Sequence, residues 1–213
     1  LDVMMPYKDG FTLGNGGAFS LHSSYHLFIS NSLFRNCTAN LGGALYYKTV
    51  YPGCALDYVE NGQVEINNST FENCSATQGG AMYLYTNPFY FYAQLGNVLT
   101  YSQQGHTINN TNIINNSAIE GGGIFIQNNT NSFPLSSSWL RINYSTIANN
   151  TAILDGAGIH SNTDCKNTIS LSHSTLAYNI ADSLGGGIFN NTSNTIDSIE
   201  ILNSTIAFNA SFG

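Results

Sequence analysis

The chain has 213 residues, 42% of them apolar and only 8% charged, with five Lys and Arg in total and a formal net charge of −7. Ordinary soluble domains carry roughly 25% charged residues, so the polar surface here must be built from Asn, Ser, Thr and Gln. So few cations argue against nucleic-acid binding and against recruitment to an anionic membrane surface.

No run approaches the roughly 18 apolar residues of a membrane span, so no membrane insertion by this segment is expected. Leu1–Met5 has neither the basic nor the apolar region of a signal peptide. The chain starts at Leu and stops partway through a repeat at Ser211–Gly213, which predicts a piece of something longer.

The first repeat element met along the chain is an orphan GGAF at Gly16, the remnant of an incomplete first turn. An eight-residue pattern then recurs six times: apolar, any, apolar, any, Asn/Tyr/His, Ser/Thr, any, apolar. It reads LFISNSLF from Leu27, VEINNSTF from Val64 and HTINNTNI from His106. It continues as LRINYSTI from Leu140, ISLSHSTL from Ile169 and IEILNSTI from Ile199. The sixth position is a hydroxyl in every copy: Ser32, Ser69, Thr111, Ser145, Ser174 and Ser204. Three residues past each octet stand Cys37, Cys74, Asn116, Asn150, Asn179 and Asn209, and two further on an Ala or Ser. Glycine clusters then lead into apolar residues at Gly42, Gly79, Gly121, Gly156 and Gly185.

Alternating apolar positions make a strand with one buried face. The Asn or Ser that follows turns the chain through its own backbone, and paired glycines allow a sharp corner at positive φ. No segment shows the spacing of an amphipathic helix. The expected fold is all-β: one right-handed parallel β-helix, or β-solenoid, of about six coils plus a partial first turn, spanning 1–213. Its coils stack roughly 4.8 Å apart. Such stacking predicts two amide ladders, Asn31–Asn68–Asn110 and Asn116–Asn150–Asn179–Asn209, in which each side chain bonds both neighbours. The extra length between early octets falls in one link, at about 47–63 and 84–105, which puts the insertions on one edge.

The pairing of GGAL and GGAM with FRNCTAN (Phe34–Asn40) and FENCSAT (Phe71–Thr77) resembles the GGA[ILV]/FxxN repeats of the polymorphic outer-membrane protein family. The resemblance runs from Gly14 to Phe212. It implies a β-helical, surface-exposed passenger region of an autotransporter-like adhesin. Later copies depart from the pattern, reading IINN, IANN, LAYN and IAFN, and no β-barrel segment is present.

Thirteen residues begin N-x-S/T: Asn36, Asn67, Asn68, Asn73, Asn109, Asn115, Asn128, Asn143, Asn149, Asn190, Asn191, Asn203 and Asn209. The repeat spells this triplet for ladder reasons, yet Asn36, Asn73, Asn115 and Asn149 fall at a corner and are expected to point outward, where they could carry N-glycans. The inserted edge is aromatic, with Tyr51, Tyr58, Tyr85, Phe89, Tyr90, Phe91 and Tyr92 as candidate interface residues; a lid folded on the solenoid competes with a partner contact. Cys37, Cys54, Cys74 and Cys165 match no zinc spacing; Cys37 and Cys74 are expected as stacked thiols, with Cys54 as a rival partner.

His106 and His173 are expected as packed or hydrogen-bonded core residues. Asn162-Thr163-Asp164 spells one element of polygalacturonase-like hydrolases, but the further carboxylates and Gly-His-Gly that pair acid with base are missing. No catalytic residue, metal or cofactor is assigned. The expected function is an extracellular or cell-surface structural solenoid, a segment of an adhesin or fibre. Its expected partners are further coils of the same chain or a second copy end to end. A carbohydrate-binding or polysaccharide-cleaving β-helix is the alternative.

Overall fold

The computed structural model of the chain describes residues 14–23, 26–49, 63–86, 90–93, 98–101, 103–128, 137–164, 166–192 and 197–213. Their strands form four parallel sheets and one antiparallel pair, Tyr90–Ala93 with Val98–Tyr101. Sheet one holds the first half of each octet: Leu27–Ser30, Val64–Asn67, Gln103–Asn109, Ser137–Asn143, Lys166–Ser172 and Ser198–Leu202. Sheet two holds the end of each octet: Leu33–Arg35, Thr70–Glu72, Asn112–Ile114, Thr146–Ala148, Thr175–Ala177 and Thr205–Ala207. Sheet three holds Ser75–Gln78, Ser117–Glu120, Thr151–Ala152, Ile180–Ala181 and Ala210–Ser211. Sheet four follows the glycines: Phe19–Ser23, Leu45–Thr49, Met82–Thr86, Ile124–Asn128, Ile159–Thr163 and Ile188–Thr192.

Each strand pairs with its equivalent one coil away, so identical repeat positions form columns. One inward column reads Ile29, Ile66, Ile108, Ile142, Leu171 and Ile201. The octets therefore fold as the stacked coils of a parallel β-helix, about six of them, with Phe19–Ser23 as the partial first turn.

Three corners of each coil turn on a single residue at positive φ. The corner from sheet one to sheet two is Asn31, Asn68, Asn110, Tyr144, His173 and Asn203, at φ 47–51°. The corner from sheet two to sheet three is Asn36, Asn73, Asn115, Asn149, Tyr178 and Phe208, at φ 53–57°. Asn is the side chain that best tolerates this left-handed region. The third corner uses glycine, and its pairing has two causes. Gly79 sits at φ 68°, whereas Gly80 lies so close to the next coil that a Cβ would stand 2.1 Å from the Gly122 carbonyl oxygen.

The approach to the corner glycine is one residue longer in the coils of Asn150 and Asn179 than in that of Asn116, and most of the length variation falls between sheets four and one, as insertions in the early coils. They are shorter than the repeat pattern suggests, because Tyr47–Thr49 and Leu84–Thr86 complete sheet four and Gln103–Gly105 begins sheet one. Inside, one apolar cluster runs along the axis, from Phe34 and Phe71, stacked at 4.6 Å, through Ile113 and Ile147 to Leu176. Each fully buried Ile or Leu contributes about 1.5–3 kcal/mol.

Candidate functional site

The unbroken Ser/Thr column acts as a connector between coils. Each hydroxyl donates to the carbonyl two residues earlier, as Ser145 does to Asn143 at 2.7 Å and Thr111 to Asn109 at 2.8 Å. The five from Ser69 onward also accept the backbone N–H of their counterpart in the preceding coil: Ser32 N to Ser69, Ser69 N to Thr111, Thr111 N to Ser145, Ser145 N to Ser174 and Ser174 N to Ser204, at 3.0–3.3 Å. The side chain replaces a backbone acceptor that the tight corner turns away.

The buried amide ladder is saturated in the same way. Asn150 Oδ1 accepts from Asn116 N and Asn116 Nδ2, while Asn150 Nδ2 donates to Asn179 Oδ1 and to the Ile113 carbonyl. Asn179 and Asn209 repeat the arrangement, and Asn116 Oδ1 receives Cys74 N at its upper end. In the other ladder, Asn110 Nδ2 donates to Asn68 Oδ1 at 2.6 Å on the exposed outside, with Asn31 above in the same corner column. A third ladder, unforeseen from sequence, links Asn143, Asn109 and Asn67 at 2.9 Å per step and ends on Glu65.

The variable corner conceals a further polar seam inside the solenoid. Thr86 donates to Asn128 Oδ1, Asn128 Nδ2 to Ser138, Ser138 to Asn167 Oδ1, and Asn167 Nδ2 to Ser161. Asp197 closes its lower end, accepting Thr163 Oγ1, Asn167 N and Asn190 Nδ2. The sequence signal was available: Thr49, Thr86, Asn128, Thr163 and Thr192 each stand seven residues past the first corner glycine.

These bonds divide the candidate glycan acceptors. Asn128 is buried, and the nitrogen that would bear a sugar donates to Ser138, so it is removed from the set. Asn209 is committed to the ladder through Leu176 O and Asn179. Asn67, Asn109 and Asn143 are half-buried in the third ladder, and Asn190 is half-buried on Asp197. Asn36, Asn68, Asn73, Asn115, Asn149, Asn191 and Asn203 are exposed.

The aromatic edge divides too. Tyr47 points inward; Tyr46, Tyr83, Phe125 and His160 form a covered outer stack on sheet four, with ring centroids 4.6–5.4 Å apart. Tyr85 is half-buried with the Lys48 ammonium 4.9 Å from its ring. Tyr90, Phe91 and Tyr92 lie on the antiparallel pair. Tyr51, Tyr58, Phe89, Cys54 and Cys165 lie outside the described residues.

Cys37 and Cys74 are buried neighbours in successive coils. The hydrogen bond shared with Cys37, together with burial, pushes the Cys74 thiol up, which makes it a poor nucleophile. His106 is buried, accepts Val64 N at 3.1 Å through Nδ1, and has no partner for Nε2; burial pushes it down to about 3. His173 departs from the expected core placement. It is exposed at a positive-φ corner, stacked on Tyr144 and bonded to Ser172 and Asn203. Asp164 is exposed, and Asn162 Nδ2 bonds Gln127. Among the described residues no three His, Cys, Asp or Glu are grouped to hold a metal.

Fold and columns together define a parallel β-solenoid whose side-chain amides and hydroxyls join coil to coil. No family model, curated protein or solved structure matches the chain.

Proposed function

We propose that the chain is a structural segment of an extracellular or cell-surface adhesin or fibre, N-glycan coated and without catalytic activity. One observation carries the reading: hydroxyl and amide columns running from coil to coil employ much of the chain's buried polar inventory in axial stacking. Such columns suit a protein whose task is to be long. The resemblance of its glycine and FxxN half-motifs to outer-membrane passenger repeats supports a surface location.

An axial partner belongs to the same proposal, either further coils of this chain or a second copy. In the last coil Ile199, Ile201 and Ile206 occupy inward columns yet are 44%, 52% and 45% exposed. Negative-stain microscopy tests the role, with rods or end-to-end oligomers as the expected image. Discrete single particles that cleave an acidic polysaccharide, with the activity lost in Asp164→Ala, would replace it with the enzyme reading.

A further inference from the structure

Both outer corner columns change character towards the last coils. Where earlier coils place Asn at positive φ, later ones place Tyr144 and His173 in one column and Tyr178 and Phe208 in the other. A bulky aromatic in the left-handed region is strained, and such outliers persist where something else holds them. These rings are not held by the core: Tyr144, Tyr178 and Phe208 are 64%, 52% and 72% exposed. They stack in pairs instead, Tyr144 on His173 with centroids 4.9 Å apart and planes 17° from parallel, and Tyr178 on Phe208 at 4.9 Å and 11°.

The centroid spacing matches the roughly 4.8 Å rise of one coil, so each pair stacks along its column, one ring per coil. One face of Tyr178 is therefore covered by Phe208, and the other looks back along the column to the level of Asn149. Asn149 is exposed, sits at the same corner one coil earlier, and begins the triplet Asn149-Asn150-Thr151. A sugar on Asn149 would be the third member of the stack. Pyranose C–H groups carry partial positive charge and match the negative face of an aromatic ring. The first column differs: Asn203 follows His173 by one coil, and its Nδ2 lies 3.2 Å from His173 Nε2 at the ring edge instead of on a ring face.

We propose that Asn149 is an N-glycosylation site whose first sugar packs on the open face of Tyr178. The inference rests on the glycan-coat reading and goes beyond it by naming one acceptor and the side chain that receives its sugar. It also accounts for the strained Tyr and Phe: the rings extend a column in which a glycan takes over from Asn.

The experiment is a double-mutant cycle of Asn149→Gln and Tyr178→Asn, measured by thermal unfolding on chain secreted from a eukaryotic host and on chain made in bacteria. Asn at 178 restores the residue of the earlier coils and adopts the same φ, so misfolding does not confound the result. A coupling of about 2–4 °C is expected in the secreted protein and none in the bacterial one. Site mapping by mass after enzymatic deglycosylation accompanies it. Occupied Asn149 with no coupling, or equal coupling in both hosts, overturns the contact while leaving the coat. Occupancy elsewhere but not at Asn149 overturns the site alone. No occupancy anywhere overturns both.

Discussion

At each corner after the first strand, one backbone N–H finds its acceptor in a Ser or Thr side chain of the next coil rather than in a carbonyl. Ser145 accepts Thr111 N and donates to Asn143 O, so Ser145→Ala leaves the buried Thr111 N–H unpaired, while Asn143 O keeps the bond from Asn110 N. We expect a loss of about 1–3 kcal/mol, read from the urea midpoint, with Ser145→Thr close to neutral because Thr111 already serves in the column. His106 bears on pH. Its neutral form is the folded one, and burial lowers it from 6.5 to about 3, so the unfolded chain binds the extra proton. The stability is complete above about pH 6.5 and is lost progressively as pH falls towards 3. At about pH 4.5 the protein should be about 2–3 kcal/mol less stable than at neutral pH on this account. His106→Leu, which copies Leu140 of the next coil, should flatten that slope in paired unfolding curves.

Each coil is a closed ring of short strands, and its corners decide whether the next coil can seat. Gly79 and Gly80 are adjacent and serve different ends, one taking positive φ and the other touching the Gly122 and Ser117 carbonyls, although a later coil seats the buried Ala157 at the second position. A methyl at Gly80 meets backbone that cannot swing aside. Gly80→Ala should therefore separate coils locally, and faster amide exchange at Gly121–Gly123 than in wild type would register it. Unchanged exchange there would show that the contact is softer than the geometry implies. The third ladder escaped the sequence reading at this scale. Asn67, Asn109 and Asn143 precede the corner residue, and alternation alone assigns them only to the outer face. That outward side chains lean along the axis and join is a property of packed coils.

Along the whole molecule, stability is a sum of coil–coil interfaces, which makes an uncovered coil the place for association. Ile201 lies in an inward column that is buried from Ile29 through Leu171, and is itself 52% exposed. If copies of the segment associate end to end as proposed, Ile201→Glu should abolish their concentration-dependent oligomers in sedimentation without disturbing coils nearer the first turn. Oligomers that survive the charge would place the contact on a lateral face instead.

The coil count, the strand phase, the hydroxyl column and the buried Asn ladder were legible in the chain itself, because each repeats the same local requirement in every coil and a column of one residue type survives in the sequence. The N-x-S/T triplets were legible only as a set. Burying Asn128 in the polar seam, tying Asn209 into the ladder and leaving Asn149 exposed beside Tyr178 depend on which way a side chain leaves a corner. Likewise His106 and His173 read alike as repeat substitutions, yet one is sealed in the core and the other stacked outside. Octet parity places positions one and three inward, while position five lies on a left-handed turn that rotates its side chain to the surface. Contacts between coils some 30 to 40 residues apart settle these fates, and local pattern carries no record of them.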